Sequence, residues 1–256
     1  MMENGGIKMN YTVITAAEKP EHKKTHDHIT CEIWPEFILN DPISNANFKN
    51  IYKTFAEYQF SILMDDSIVG FANAIPFYWD EDLGNLPEEG WDWALLKGFE
   101  DNSNNKNPNV LCGLQIGIDK KHQGKGLSQL IVKEMKSIAI RKGFKYLVIP
   151  VRPNMKSKYP LIPIEDYIQW KDGNGLPFDP WLRVHVRQGA EIVKVCHKAM
   201  YIPGKIEDWE EWTGMKFMSS GDYVIDGALV PVKVDVENDI GEYVEPNVWV
   251  SYKLSE

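Results

Sequence analysis

The chain has 256 residues, 43% of them hydrophobic, 12% aromatic and 25% charged, a composition that excludes a disordered chain and can bury a sizeable core. Its 28 basic and 37 acidic residues give a formal charge of −9, which argues against general nucleic-acid or anionic-membrane binding. Cys31, Cys112 and Cys196 are far apart and never in CxxC spacing, which excludes a disulfide scaffold or zinc ribbon and points to a reducing, cytoplasmic setting.

No run of eighteen apolar residues exists, so no membrane span is expected, and MMENGGIKMN lacks the apolar region of a signal peptide. YTVITAA (11–17) alternates as a strand does. Ile29, Ile33, Phe37 and Ile38 follow helical spacing over 28–39, with Pro35 placed to kink or divide the helix. QFSILMD (59–65) and IVGFANAIPFYW (68–79) predict a hairpin around Asp65-Asp66-Ser67. Residues 80–109, rich in acids, Asn, Gly and Pro, read as an insertion over the surface with a short helix at 91–99.

VLCGLQIGI (110–118) and YLVIPV (146–151) are the nearly continuous apolar runs of strands buried on both faces. Between them Leu127, Leu130, Ile131, Met135, Ile138 and Ala139 share one helical face, and Gly143 is placed to end the helix, which completes a strand–helix–strand crossover. A Pro-rich loop and a short helix near 164–170 follow. Asp179-Pro180 then opens a helix closed by Gly189. AEIVKVCHKAMYI (190–202) predicts a long strand, and 204–256 reads as loops and short strands packed by Trp209, Trp212 and Trp249. No repeat or composition break divides the chain.

Charge is unevenly spread. Residues 119–145 hold eight bases against Asp119 and Glu134, whereas 81–101 hold seven acids against Lys97 alone. A basic patch on an acidic protein suits a compact anionic ligand, and it equally suits a solvated helix face. The patch contains IDKKHQGKGLSQL, the loop between the 110–118 strand and its helix. A Walker A loop fails, because Asp119 stands where its first glycine belongs and Gly126 follows Lys125. A dinucleotide fingerprint fails at Gln129. What remains is a tight glycine turn opening a helix, whose backbone amides can hold a pyrophosphate, with Lys121 and Lys125 at its mouth.

Gln123-Gly124-Lys125-Gly126-Leu127-Ser128 resembles the Q/R-x-x-G-x-G/A cofactor loop of the GNAT superfamily of acyl-CoA-dependent N-acetyltransferases, with Ser128 in place of the last small residue. The flanking strand and helix, the early hairpin and RQGAEIVKV near the end fit the same family. The resemblance implies an α+β fold with a central mixed, mostly antiparallel sheet flanked by helices. It places a GNAT-like domain at 10–203, with insertions at about 80–109 and 154–178, and leaves 204–256 as a C-terminal extension packed on it. It implies acetyl-CoA as co-substrate, no metal, and a small-molecule amine acceptor, with a second copy of the chain as an optional partner.

By the same resemblance, Ile116 and Ile118 should present backbone groups to the pantetheine arm, Gln123 through Ser128 should wrap the pyrophosphate, and Asn154 should contact the arm. Asn154 is equally placed to form a turn after Pro153. The family's thiolate-protonating tyrosine lies four residues before a glycine, where this chain has His185 before Gly189. His185 could donate that proton or simply pack in its helix, and Tyr159 on the inserted loop is the rival donor. No carboxylate is placed to be the base. Trp91 and Trp93 could wall an acceptor site or pack. His22, His26, His28 and Cys31 have ligand-like spacing, but an exposed polar turn is the expected reading. The acidic segments would attract a cationic amine. A catalytically silent acyl-CoA-binding module is the alternative function, separated from the enzyme by thiol release in the presence of amines.

Overall fold

A computed structural model describes residues 10–254; residues 1–9, on which the signal-peptide expectation rests, lie outside the described residues. The chain opens with β1 (Thr12–Thr15) and α1 (Lys23–Ile33). Trp34 ends α1 in an extended conformation, as a residue preceding proline must, and the expected helix is thereby divided at Pro35. Two short helices follow, α2 (Pro42–Asn47) and α3 (Ile51–Thr54). Then β2 (Phe60–Met64) and β3 (Ser67–Phe77) form the expected hairpin, and Asp65 and Asp66 take φ of 48° and 60°, the paired positive values that match strand twist.

The segment expected to lie over the surface contributes core instead. In α4 (Gly90–Ser103) Ala94 and Leu95 are fully buried, and a Cβ on Gly98 would lie 2.3 Å from the Ile75 side chain. The segment's acids, asparagines and prolines lie mostly in its flanking turns, which is why its composition reads as surface.

β4 (Val110–Ile118), α5 (Leu127–Arg141) and β5 (Tyr146–Val151) form the crossover, with Gly143 at φ 76° ending the helix. Next come α6 (Ile164–Gln169) and α7 (Pro180–Arg187), the latter capped by Asp179 Oδ1, which accepts from the backbone N–H of Trp181 and Leu182. β6 (Glu191–Gly204), α8 (Ile206–Thr213), β7 (Gly221–Tyr223), β8 (Val232–Asp235) and β9 (Ile240–Lys253) complete the order.

These strands make a 9-stranded sheet in the order β1-β2-β3-β4-β5-β9-β8-β7, with β6 also paired to β9. Among the described strands only β4 with β5 is parallel. The tail is therefore not loops and short strands. Its fourteen-residue β9 runs beside β5 over Val248–Lys253 and beside β8 over Ile240–Glu242, with β6 along its other edge. Pro246 lies inside this strand although proline cannot donate to a ladder. It is tolerated because the β6 register jumps from Cys196↔Asn247 to Met200↔Glu245, leaving a bulge opposite the residue that cannot donate.

Candidate active site

β4 and β5 pair only at Val110↔Tyr146, Leu111↔Leu147 and Cys112↔Val148. Beyond Cys112 both strands continue unpaired to each other, and a register shift opposite Asn73/Ala74 bends β4 at Leu114. The resulting gap is walled by Gly113–Ile116 on one side and Ile149–Val151 on the other, and it opens into a cavity of about 810 Å3. Parallel strands that separate in this way leave backbone N–H and C=O groups free to meet an extended ligand.

The glycine turn lies on the same cavity. Asp119 Oδ1 accepts from the backbone N–H of Lys121 at 2.8 Å, and the Gln123 amide donates to the Ile118 carbonyl at 3.2 Å, which fixes the turn to the strand end. Gly124 and Gly126 take φ of 74° and 80°, and a Cβ at either would meet nothing within 4 Å. The glycines are thus required by the backbone conformation, and the space over them is open. Gly126 is the N-cap of fifteen-residue α5 and supplies no side-chain cap, so the helix presents its first-turn amides and positive dipole end to that space.

Of the residues singled out from the sequence, Ile116, Ile118, Gln123, Gly124, Ser128 and Asn154 line the cavity, as does Trp91. Lys125, Gly126 and Leu127 belong to the same turn without lining it; Leu127 is buried and the other two are exposed. His185 and Tyr159 do not line it. His185 is 0% exposed, contacts the Trp181 ring that does line the cavity, and bonds through Nδ1 to the Tyr252 hydroxyl on β9 at 2.7 Å. Burial pushes its imidazole down to about 3. Tyr159 packs among Tyr167, Trp170 and Phe178. Trp93 packs against Phe77, Trp79 and Trp249. His22 and His26 both bond the Ser61 hydroxyl, at 3.0 and 2.7 Å, while His28 and Cys31 are exposed.

The half of the cavity away from the glycine turn has a different chemistry. Trp34, Phe48 and Trp91 wall it, the last two stacked at 5.6 Å, and the Trp91 indole N–H donates to the Leu114 carbonyl at 2.7 Å. Glu245 of β9 also lines it, fully buried, with the Arg152 Nε–H shared by both of its oxygens at 2.9 Å and the Tyr243 hydroxyl donating to Oε2. Near Glu245 are two more buried carboxyls. Burial, and then the charge of Asp41 ahead of that of Glu245, pushes Asp92 up to about 8. Burial also raises Asp41, to about 6, with Glu245 adding to it. Asp41 and Asp92 lie behind the wall without lining the cavity, whose charged lining is Lys23, Asp27, Lys49, Arg152 and Glu245. Their nearness to Glu245 could not be read from the sequence, because it depends on β9. The one signal was Glu245 itself, an acid inside what proved to be a buried strand.

No family model matches this chain. It is 32% identical to the arginine N-acetyltransferase avaD of Aspergillus versicolor, over 99% of this chain and 98% of that protein. Its fold is similar to that of the loading GNATL domain of CurA from Lyngbya majuscula, with a TM-score of 0.64 at 20% identity, covering 96% of this chain and 98% of that one. It is also similar to the GphF GNAT-like decarboxylase in complex with isobutyryl-CoA, with a TM-score of 0.57 at 17% identity, covering 95% of this chain and 100% of that one. At such identities the two structures speak to the fold alone.

Proposed function

The chain belongs to the GNAT superfamily of N-acetyltransferases, and we propose that it moves an acetyl group from acetyl-CoA to a primary amine of a small cationic acceptor. The observation that carries this reading is the continuity of one cavity from the glycine turn, through the β4–β5 gap, to an aromatic chamber walled by Trp34, Phe48 and Trp91. In this reading the amides from Gln123 to Ser128 hold the pyrophosphate at the start of α5. Lys125 adds a solvated charge. Backbone groups of Ile116 and Ile118 and the side chain of Asn154 line the path of the pantetheine arm. Acetyl-CoA supplies the activated acyl group when bound.

The chain's own task is then to exclude water and to present a neutral amine to the thioester carbonyl. Nitrogen–carbon bond formation and carbon–sulfur cleavage give the amide and a thiolate, the amine loses one proton, and the thiolate gains one. The aromatic walls exclude water, and the chain's acidic segments favour approach of a basic acceptor. Arginine, the acceptor named for the Aspergillus versicolor relative, is the first to try.

The test is thiol release from acetyl-CoA on mixing with an amine panel, beside a thermal-shift series. CoA at about 100 times its Kd should stabilise the fold by roughly 2.7 kcal/mol, and NADH or ATP much less. Gly126→Val forces a branched residue into a left-handed conformation beneath the phosphate. It should abolish CoA binding while the protein stays folded. Equal stabilisation by NADH, or unchanged CoA affinity in Gly126→Val, would move the phosphate site elsewhere.

A further inference from the structure

The chain as a whole is acidic, yet the charged side chains lining its cavity sum to +1: Lys23, Lys49 and Arg152 against Asp27 and Glu245. Lys23 is paired with Asp27, and Arg152 with Glu245. Lys49, adjacent in the chain to Phe48 of the aromatic wall, is exposed and has no anionic partner among the described residues. Glu245 has no free charge for a ligand. Both of its oxygens accept from the Arg152 Nε–H at 2.9 Å, and Oε2 accepts from the Tyr243 hydroxyl as well.

Arg152 is fixed in place and still has donors to offer. It follows β5 directly, its Nη2 donates to the Gly227 carbonyl at 2.6 Å, and its guanidinium carbon lies 5.7 Å from the centre of the Trp34 ring. The remaining nitrogen, Nη1, makes no hydrogen bond among the described residues, and the side chain is 15% exposed on the cavity wall. A guanidinium already held on its other nitrogens is a pre-organised donor, so binding an anion there orders little further. The cofactor does not require this charge. In the acetyl-transfer reading its phosphates sit at the glycine turn, and the pantetheine arm and acetyl group are uncharged where they pass the β4–β5 gap.

We propose that Arg152 Nη1 and Lys49 bind a carboxylate of the acceptor, which makes both specificity-determining residues and the acceptor a free amino acid rather than a simple amine or an amide. A carboxylate is a compact anion whose two oxygens can accept charge-assisted hydrogen bonds from both cations. This rests on the acetyl-transfer reading above, whose failure would be visible separately as absent CoA binding or as no thiol release with any amine.

The test measures thiol release from acetyl-CoA by the full chain with L-arginine, L-lysine and L-glutamine, each beside its carboxamide. Amidation removes the negative charge and makes the neighbouring amine less basic, so amine chemistry alone would favour the amide. Each acid that turns over should nevertheless exceed its amide by roughly 10–100-fold in kcat/KM, the range for a hydrogen bond to a charged group. Arg152→Lys leaves Glu245 a cation but removes the guanidinium fork, and should shrink the acid-to-amide ratio about tenfold with CoA affinity unchanged. Lys49→Gln, at an exposed position, should shrink it about twofold to fivefold. Equal rates for acids and amides, a preference for the amides, or an undiminished ratio in both variants would overturn the proposal. Should Arg152→Lys fail to fold, as lost CoA binding would reveal, a reduced ratio in Lys49→Gln together with the acid preference of the unaltered protein supports it, and the absence of either overturns it.

Discussion

His185 stands one turn before Gly189, in the register the sequence implies, yet its imidazole meets Tyr252 rather than the gap between β4 and β5. The strand carrying Tyr252 lies beside β5 and occupies the space into which a side chain on that face of α7 would otherwise turn. His185→Phe should therefore leave kcat within about threefold, and should cost about 1 kcal/mol through loss of the Nδ1 bond, the Tyr252 hydroxyl keeping its 3.4 Å bond to the backbone carbonyl of residue 185. A loss of 10²–10⁴ in kcat would instead give His185 the proton. The pH dependence follows from the same burial. A histidine held near 3 stays neutral in the folded state, while the unfolded chain takes up its proton below about 6.5. Its contribution to stability is thus unchanged above that value and turns unfavourable as pH falls from there toward 3. His185→Phe should flatten the acid limb of Tm against pH, and an unchanged limb would show that its imidazole is not buried neutral.

At the scale of elements, the segments that flank the domain's standard parts are tied together at the β6 bulge. His197 there bonds Glu88, just ahead of α4, at 2.5 Å, and also Glu165 in α6. The backbone N–H of Lys198 donates to the Glu88 carbonyl at 3.0 Å. The Glu88 and then the Glu165 hydrogen bonds raise the His197 pKa, so its stabilisation is complete below about 6.5 and fades as pH rises through the higher folded value. The pair is half exposed and salt screens it. His197→Gln should lower Tm by roughly 1–3 °C at pH 6 and by almost nothing at pH 9. A Tm loss of the same size at both values would mean that the ring acts by packing and not by charge.

For the whole molecule, the decisive element is the last one. Val248, Trp249 and Val250 are 0% exposed and Tyr252 1%, and they form core between β5 and β6. Deleting residues 204–256 should leave a chain without cooperative unfolding by circular dichroism, because it strips β5 of its antiparallel neighbour and β6 of its partner. A folded, CoA-binding 10–203 fragment would show instead that the tail is an accessory. Among the described residues no helix is long and apolar enough to cross a membrane.

What the sequence determined by itself was local. The hairpin at Asp65-Asp66, the crossover of β4, α5 and β5, the Asp179 cap and the glycine turn each depend on residues within a few positions of one another, where periodicity and backbone preference act directly. The glycine-turn half of the cavity was legible for that reason, since one strand end, one turn and one helix start build it. Tertiary structure decided the rest. α4 is buried although its flanks look like surface, and β9 is central although Pro246 and its acids look like a loop, because partners far along the chain supply the bulge and the counter-charge they need. The aromatic half, which Glu245 lines and behind which Asp41 and Asp92 are buried, exists only once β9 is in place. Hydrophobic pattern reports which face is buried, but it does not report what the buried face will meet.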